Sequence, residues 1–327
     1  MLRASVVGSV LLLAASGGAS AAEKAESLVE RGAYLVNTIM ACGNCHSPRD
    51  GDGRPIAGKA LSGGLTFDTP AFVATASNIT PDKETGIGSW SDAEIKRALV
   101  EGSRPDHGRL AGVQLAAIMP ANFYKGLLPD DLDAVIAYLR SVTPIRNEVP
   151  APVYKAPARR DAYPDADAGF SKAMLADPVR RGAYLVTIGH CMECHSAWSR
   201  GMSDFKAGLG RGGRAFPVRE GVADAPPSIA ANITSHPTAG IGAWTDAEIG
   251  RAITQGIGRD GKVLKPPMAY GYYANQGGRS GRYHRLFAHR AALAVGPRNW
   301  DERGAMAALI DLETVAKRPV SGPARSL

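Results

Sequence analysis

Apolar positions recur at helical spacing at several places along the chain. Leu28, Tyr34 and Leu35 mark a helix that leads into Cys42. Ser91 followed by Glu94 forms a capping box, and Ile95, Ala98 and Leu99 then make an apolar stripe that stops at Gly102. The same device returns as Thr245, Glu248, Ile249, Ala252, Ile253 and Gly256. A further helix opens near Pro129-Asp130 and carries Leu132, Val135, Ile136 and Leu139. No stretch alternates convincingly with period two, so the pattern predicts an all-α architecture with long loops. At the start of the chain, Arg3 precedes an apolar run from Val6 to Ala15 and small residues ending Ala19-Ser20-Ala21. A membrane-spanning helix takes about 20 apolar residues, so this run predicts a secretory signal peptide over 1–21.

The helical pattern is written twice. Arg31-Gly32-Ala33-Tyr34-Leu35-Val36 recurs as Arg181-Gly182-Ala183-Tyr184-Leu185-Val186, and Asn78-Ile79-Thr80 as Asn232-Ile233-Thr234. Gly86-Ile87-Gly88-Ser89-Trp90 and the capping box after it recur from Gly240 to Trp244 and beyond. An internal repeat of this size predicts two copies of one domain. Pro144, Pro150, Pro152, Pro157 and Pro164 fall between the copies, a composition that stiffens and extends a linker. The boundaries that follow are a first domain over 22–148, a Pro/Ala-rich linker over 149–174 and a second domain over 175–278.

The 327 residues are 45% hydrophobic and 21% charged, which suits two ordinary globular domains and excludes a disordered chain or a coiled coil. The formal charge is +7, but the excess cations lie mostly after Gln276, so a nucleic-acid or anionic-membrane surface is not implied. No later segment is apolar for long enough to cross a bilayer. The mature protein is therefore expected to be periplasmic or exported, and at most peripheral to a membrane.

An exported chain with four cysteines might be expected to pair them. Here they stand as Cys42-Gly43-Asn44-Cys45-His46 and Cys191-Met192-Glu193-Cys194-His195, the C-x-x-C-H signature of covalent haem attachment. Two thiols at this spacing reach the two vinyl groups of one haem as thioethers, and the adjacent histidine is placed to ligate iron. The alternatives for paired C-x-x-C segments are a thioredoxin-like dithiol and a four-cysteine zinc site. Two copies, each with its histidine in matching surroundings, point to two covalently attached haem c groups. The opposite axial position needs a ligand, and the duplication supplies one: Met119 follows Cys42 at the same separation as Met268 follows Cys191. A thioether opposite an imidazole raises the potential and suits a carrier. Against these methionines stand His107, which has no second-half counterpart, and Met40 and Met192, which crowd the proximal motifs.

Together these motifs resemble tandem class I cytochrome c domains, especially the cytochrome subunits of periplasmic dehydrogenases for alcohols, aldehydes and sugar acids. The resemblance rests on R-G-A-Y-L-V before each C-x-x-C-H, on N-I-T with G-I-G-x-W-[ST]-D-A-E-I, and on the methionine followed by tyrosine. It covers nearly all of the first half and the second as far as about Gly278. It implies two helical domains, each wrapping one haem. It further implies a non-enzymatic carrier that takes electrons from a dehydrogenase and passes them to quinone, an oxidase or another cytochrome. A dihaem peroxidase with one openable iron is the enzymatic alternative. A thiosulfate dehydrogenase with a thiolate ligand would need a cysteine beyond the four already committed. Smaller signals are Trp90 and Trp244, which either donate to haem propionates or pack in a core. Arg49 is a candidate propionate partner, against which stands the second copy, with Trp198 and no arginine in step. Asn78 and Asn232 match a glycosylation sequon but, standing at equivalent repeat positions, read as a structural loop.

The repeat breaks near its end. Asp131-Leu132-Asp133-Ala134-Val135-Ile136-Ala137-Tyr138-Leu139-Arg140 has as its counterpart Ser280-Gly281-Arg282-Tyr283-His284-Arg285-Leu286-Phe287-Ala288-His289, which has no apolar stripe. Codons for Arg279 onward can nevertheless be chosen so that a frame displaced by two nucleotides reads Asp-Leu-Asp-Ala-Ile-Ile-Ala-Tyr-Leu-Arg. The expectation is that 279–327 is an out-of-frame tail, which leaves the second domain without its closing helix.

Overall fold

The structure is a computed structural model that describes residues 27–51, 53–157, 159–199, 202–216 and 227–274. The expected signal peptide (1–21) and aberrant tail (279–327) lie outside the described residues.

The first half begins with α1 (Leu28–Tyr34), started by a capping box between Ser27 and Glu30. One residue more separates Tyr34 from Cys42 than separates Tyr184 from Cys191. The chain absorbs it as a π-helical turn, Leu35–Ile39, that continues α1. The matching helix of the second half, Pro178–Ile188, has no surplus residue and runs on as regular helix. After α1 come α2 (Gly43–His46), a hairpin of β1 (Thr66–Asp68) and β2 (Phe72–Thr75), α3 (Asp92–Glu101), α4 (Ala121–Tyr124) and α5 (Pro129–Ser141). Ser91 and Glu94 cap α3 reciprocally, and Gly102 ends it at φ 73°, in the left-handed region that glycine reaches without strain.

Helix α5 lies across α1 at close range. A Cβ on Gly32 would overlap the carbonyl of Ala134, so glycine is required for the two backbones to meet. At the same crossing Arg31 donates from Nε and Nη2 to the two oxygens of Asp131, at 2.7 and 2.8 Å.

The connection between halves is a packed strap. Its β3 (Val153–Tyr154) adds to β2, the Tyr154 hydroxyl donates to the Gln114 carbonyl, and Arg160 donates to the Leu115 carbonyl at 2.6 Å. Helix α6 (Pro164–Ala168) follows Tyr163, whose ring is buried 4.5 Å from Phe123 and 5.3 Å from Phe205, centroid to centroid. Aromatic and arginine side chains between the prolines dock the strap onto both halves.

The second half repeats the order with α7 (Pro178–Ile188), α8 (Cys191–His195), two short hairpins, α9 (Asp246–Gln255) and α10 (Tyr270–Tyr273). The hairpins pair β4 (Ala197–Ser199) with β5 (Met202–Asp204), and β6 (Ala215–Phe216) with β7 (Ser228–Ile229). These strands, like β1 to β3, are absent from the sequence expectation, because strands of two to four residues carry no legible alternation. Thr245 and Glu248 cap α9 as expected, and Gly256 ends it at φ 65°.

One core crosses the repeat boundary. Tyr184, Leu185 and Ile188 of α7 are buried in the same cluster as Leu35, Val36, Val135 and Leu139 of the first half. The Tyr184 hydroxyl donates to Asp131 at 2.5 Å and so joins the Arg31 pair. The arginine equivalent to Arg31 is Arg181, and its Nε is buried without a hydrogen-bond partner among the described residues.

Candidate functional site

Each C-x-x-C-H motif is a single tight helical turn. Cys42 caps α2, which carries Cys45 and His46, while α8 contains Cys191, Cys194 and His195. All four cysteines are free thiols, half-buried beside their histidines. Burial pushes the Cys42, Cys191 and Cys194 thiols up to about 12 and Cys45 to about 11. A reactive dithiol is favoured by a stabilised thiolate, and burial here opposes one. No three His, Cys, Asp or Glu side chains converge as a metal cage among the described residues, so the four cysteines do not build the zinc site either.

The two imidazoles are held alike. His46 Nδ1 lies 2.6 Å from the Ser77 carbonyl, and His195 Nδ1 lies 2.8 Å from the Ala231 carbonyl. A carbonyl only accepts, so each Nδ1 carries the proton and each Nε2 presents a lone pair, as a metal-ligating imidazole requires. Burial lowers both histidine pKa values, with the carbonyl bonds opposing it only in part, which keeps both rings neutral and able to ligate.

Ser77 and Ala231 were not singled out in the sequence, yet each immediately precedes the repeated Asn-Ile-Thr. Asn78 Oδ1 accepts from the Thr80 amide and hydroxyl at 3.0 and 2.7 Å, and Asn232 does the same for Thr234 at 2.9 and 2.7 Å. These turns hold the carbonyl-bearing loop, and Asn78 is buried, so the motif is structural.

Met119 and Met268 take equivalent places, each half-buried and just ahead of the short helices α4 and α10. Met119 and Cys42 both pack against the first core cluster. The competing sulfurs are committed elsewhere: Met40 is 1% exposed and Met192 2%, both as core residues. His107 is at the surface, 2.9 Å from Glu94. Trp90 packs against the first core.

The motifs sit back to back. Tyr272 of the second half lies against Gly43, and Asn44 Nδ2 donates to the Pro267 carbonyl at 3.4 Å. In the other direction, the rings of Phe123 and Tyr124 pack 6.4 and 6.2 Å from that of His190, beside α8. His190 in turn pairs with Glu193 at 3.0 Å. The Glu193 carboxylate acts on both Cys45 and Cys194, raising each further.

No family model matches the chain. It is 33% identical over 257 residues to a nicotinate dehydrogenase subunit of Pseudomonas putida, covering 74% of this chain and 19% of that one. Over 250 residues it is 32% identical to the cytochrome c subunit of the quinone alcohol dehydrogenase of Gluconobacter oxydans, covering 73% and 49%. The chain is related to dehydrogenase cytochrome c subunits. A diheme cytochrome c-type protein of Cereibacter sphaeroides is 38% identical over 117 residues, 36% of each chain. The chain spans about half or less of the length of these relatives. Protonated, half-buried thiols beside an imidazole with its Nε2 lone pair free are the donor set that haem c takes in a cytochrome c. No helix among the described residues is long and apolar enough to cross a membrane.

Proposed function

We propose that this chain is an exported dihaem cytochrome c that carries electrons singly from a periplasmic dehydrogenase to a quinone, an oxidase or another cytochrome. The reading takes its two halves as tandem cytochrome c-like helical domains. Cys42, Cys45, His46 and Met119 would hold one haem, and Cys191, Cys194, His195 and Met268 would hold the other. Bound haem supplies the one-electron couple. The protein's part is to fix the imidazole tautomers through Ser77 and Ala231, to shield the thioethers, and to bring the two motifs together. The observation that carries the reading is the matched clamp, histidine Nδ1 on a backbone carbonyl, in both halves. It sits in motifs whose relatives are cytochrome subunits.

The test is the intact mass of protein matured in a periplasm that has haem-attachment machinery, taken together with its reduced-minus-oxidised spectrum. Two covalent haems, both reducible, are expected. A mature chain with no covalent haem overturns the reading.

A further inference from the structure

The second copy lacks an arginine at the position of Arg49, because Trp198 stands there. In three dimensions the cation is nevertheless present. Arg49 donates from Nη2 to the Asn44 carbonyl at 3.4 Å and to its side-chain oxygen at 3.0 Å, and from Nη1 to the Gly53 carbonyl at 2.9 Å. Arg214, on a different segment, donates from Nη1 to the Glu193 carbonyl at 3.1 Å. Asn44 and Glu193 are the same position of the repeat, the residue before the second cysteine of each motif.

The exchange is reciprocal. The position matching Arg214 in the first half is Leu65, so cation and apolar residue have traded places between two neighbouring segments. Trp198 does not merely fill the gap that Arg49 leaves. Its ring stacks on the Arg214 guanidinium at 3.9 Å, with Phe216 at 4.7 Å on the same cation. Both guanidinium groups are thus part-buried and anchored, one by the Gly53 carbonyl and the other by two aromatic rings.

We propose that Arg49 and Arg214 are equivalent potential-setting residues, each placing one fixed positive charge beside the second attachment sulfur of its own haem. This rests on the dihaem reading above. A fixed cation near the iron disfavours the ferric state and raises the midpoint potential, and the effect is strong where the guanidinium is drawn out of water. Because the two cations belong to different motifs, removing one should act mainly on one haem.

The experiment is a potentiometric titration of the purified holoprotein, followed by the haem absorption, for wild type, Arg49→Gln, Arg214→Gln, Arg49→Lys and Arg214→Lys. Every preparation is first weighed for covalent haem. The expected result is that each Gln variant lowers the reduction equilibrium of one component about tenfold, about 59 mV for one electron. Arg49→Gln and Arg214→Gln should move different components, and the Lys variants should stay within about twofold of wild type. Arg49→Met and Arg214→Met, which keep the apolar stem, replace any Gln variant that does not mature. Gln or Met variants that stay within twofold overturn the proposal. So does a shift of the same component by both, or Lys variants that fall as far as Gln. Wild-type protein without covalent haem instead overturns the dihaem reading and is recognised at the weighing step.

Discussion

Replacing Asp131 with alanine removes the acceptor on which both halves converge. Its carboxylate, 7% exposed, takes two bonds from Arg31, itself 24% exposed, and a third from the Tyr184 hydroxyl. Without it a largely buried guanidinium and a buried phenol lose their partners together. Removing one partner of a buried ion pair costs about 3–5 kcal/mol, and an orphaned buried hydroxyl about 1–3 kcal/mol. The two are not additive, because the groups share one acceptor. Arg31 also keeps a quarter of its surface in water, which screens its charge. We therefore expect about 3–4 kcal/mol for Asp131→Ala, and about 1–2 kcal/mol for Tyr184→Phe. In the double variant the tyrosine change should add almost nothing, since its acceptor is already gone. Guanidinium chloride unfolding of the holoprotein, followed by far-ultraviolet dichroism and haem absorption, measures all three. A loss below about 1 kcal/mol for Asp131→Ala, or full additivity in the double variant, would refute the idea of a shared network linking the halves.

Gly32→Ala should force α1 and α5 apart and cost about 1–3 kcal/mol or more, and an unchanged melting temperature would contradict the contact with Ala134. In the chain before haem attachment, stability should fall as pH drops below 6.5, the ordinary histidine value. His46 and His195 titrate lower when folded, so the unfolded chain binds more protons in that range. Below 4.5 a further loss is expected as Glu94 and Glu248, whose caps hold their pKa values down, become protonated. A denaturation midpoint that rises on acidification would show the sign to be wrong. Met119→His and Met268→His should each lower the midpoint potential of one haem, read by redox titration, and a variant without effect removes that methionine from the ligand set. Sequencing the gene through the codons for Ala274 to Arg290 should reveal the displaced frame and, with it, an aspartate placed like Asp131 for Arg181. A nucleotide sequence without that frame ends the idea.

Local rules were legible in the sequence. Ser91 with Glu94, Thr245 with Glu248, and the glycines that end both helices stand where the pattern put them, because capping depends on residues within one turn. The histidines and cysteines were legible from covalent spacing, but the groups that complete their chemistry were not. Ser77 and Ala231 act through backbone carbonyls, which carry no residue signature. Arg214 was hidden because register comparison aligns positions, whereas a guanidinium can reach the same point from another segment. The strap was read as a stiff spacer since proline content fixes backbone freedom alone. Its docking depends on Tyr154, Arg160 and Tyr163 meeting partners far away in sequence. The π-helical turn was in plain view as one surplus residue before Cys42, and it needed the second copy as a ruler.

The seat of Tyr272 against Gly43 also constrains the order of events during maturation. A cofactor is joined to Cys42 and Cys45 only while that stretch is open to the ligating machinery, and Tyr272, which lies against it, comes from nearly the far end of the described chain. Attachment before α10 arrives would meet a more open first motif than attachment after it. A polypeptide that folds ahead of its own ligation would present its first two thiols half-covered, beside Tyr272 and not in the open.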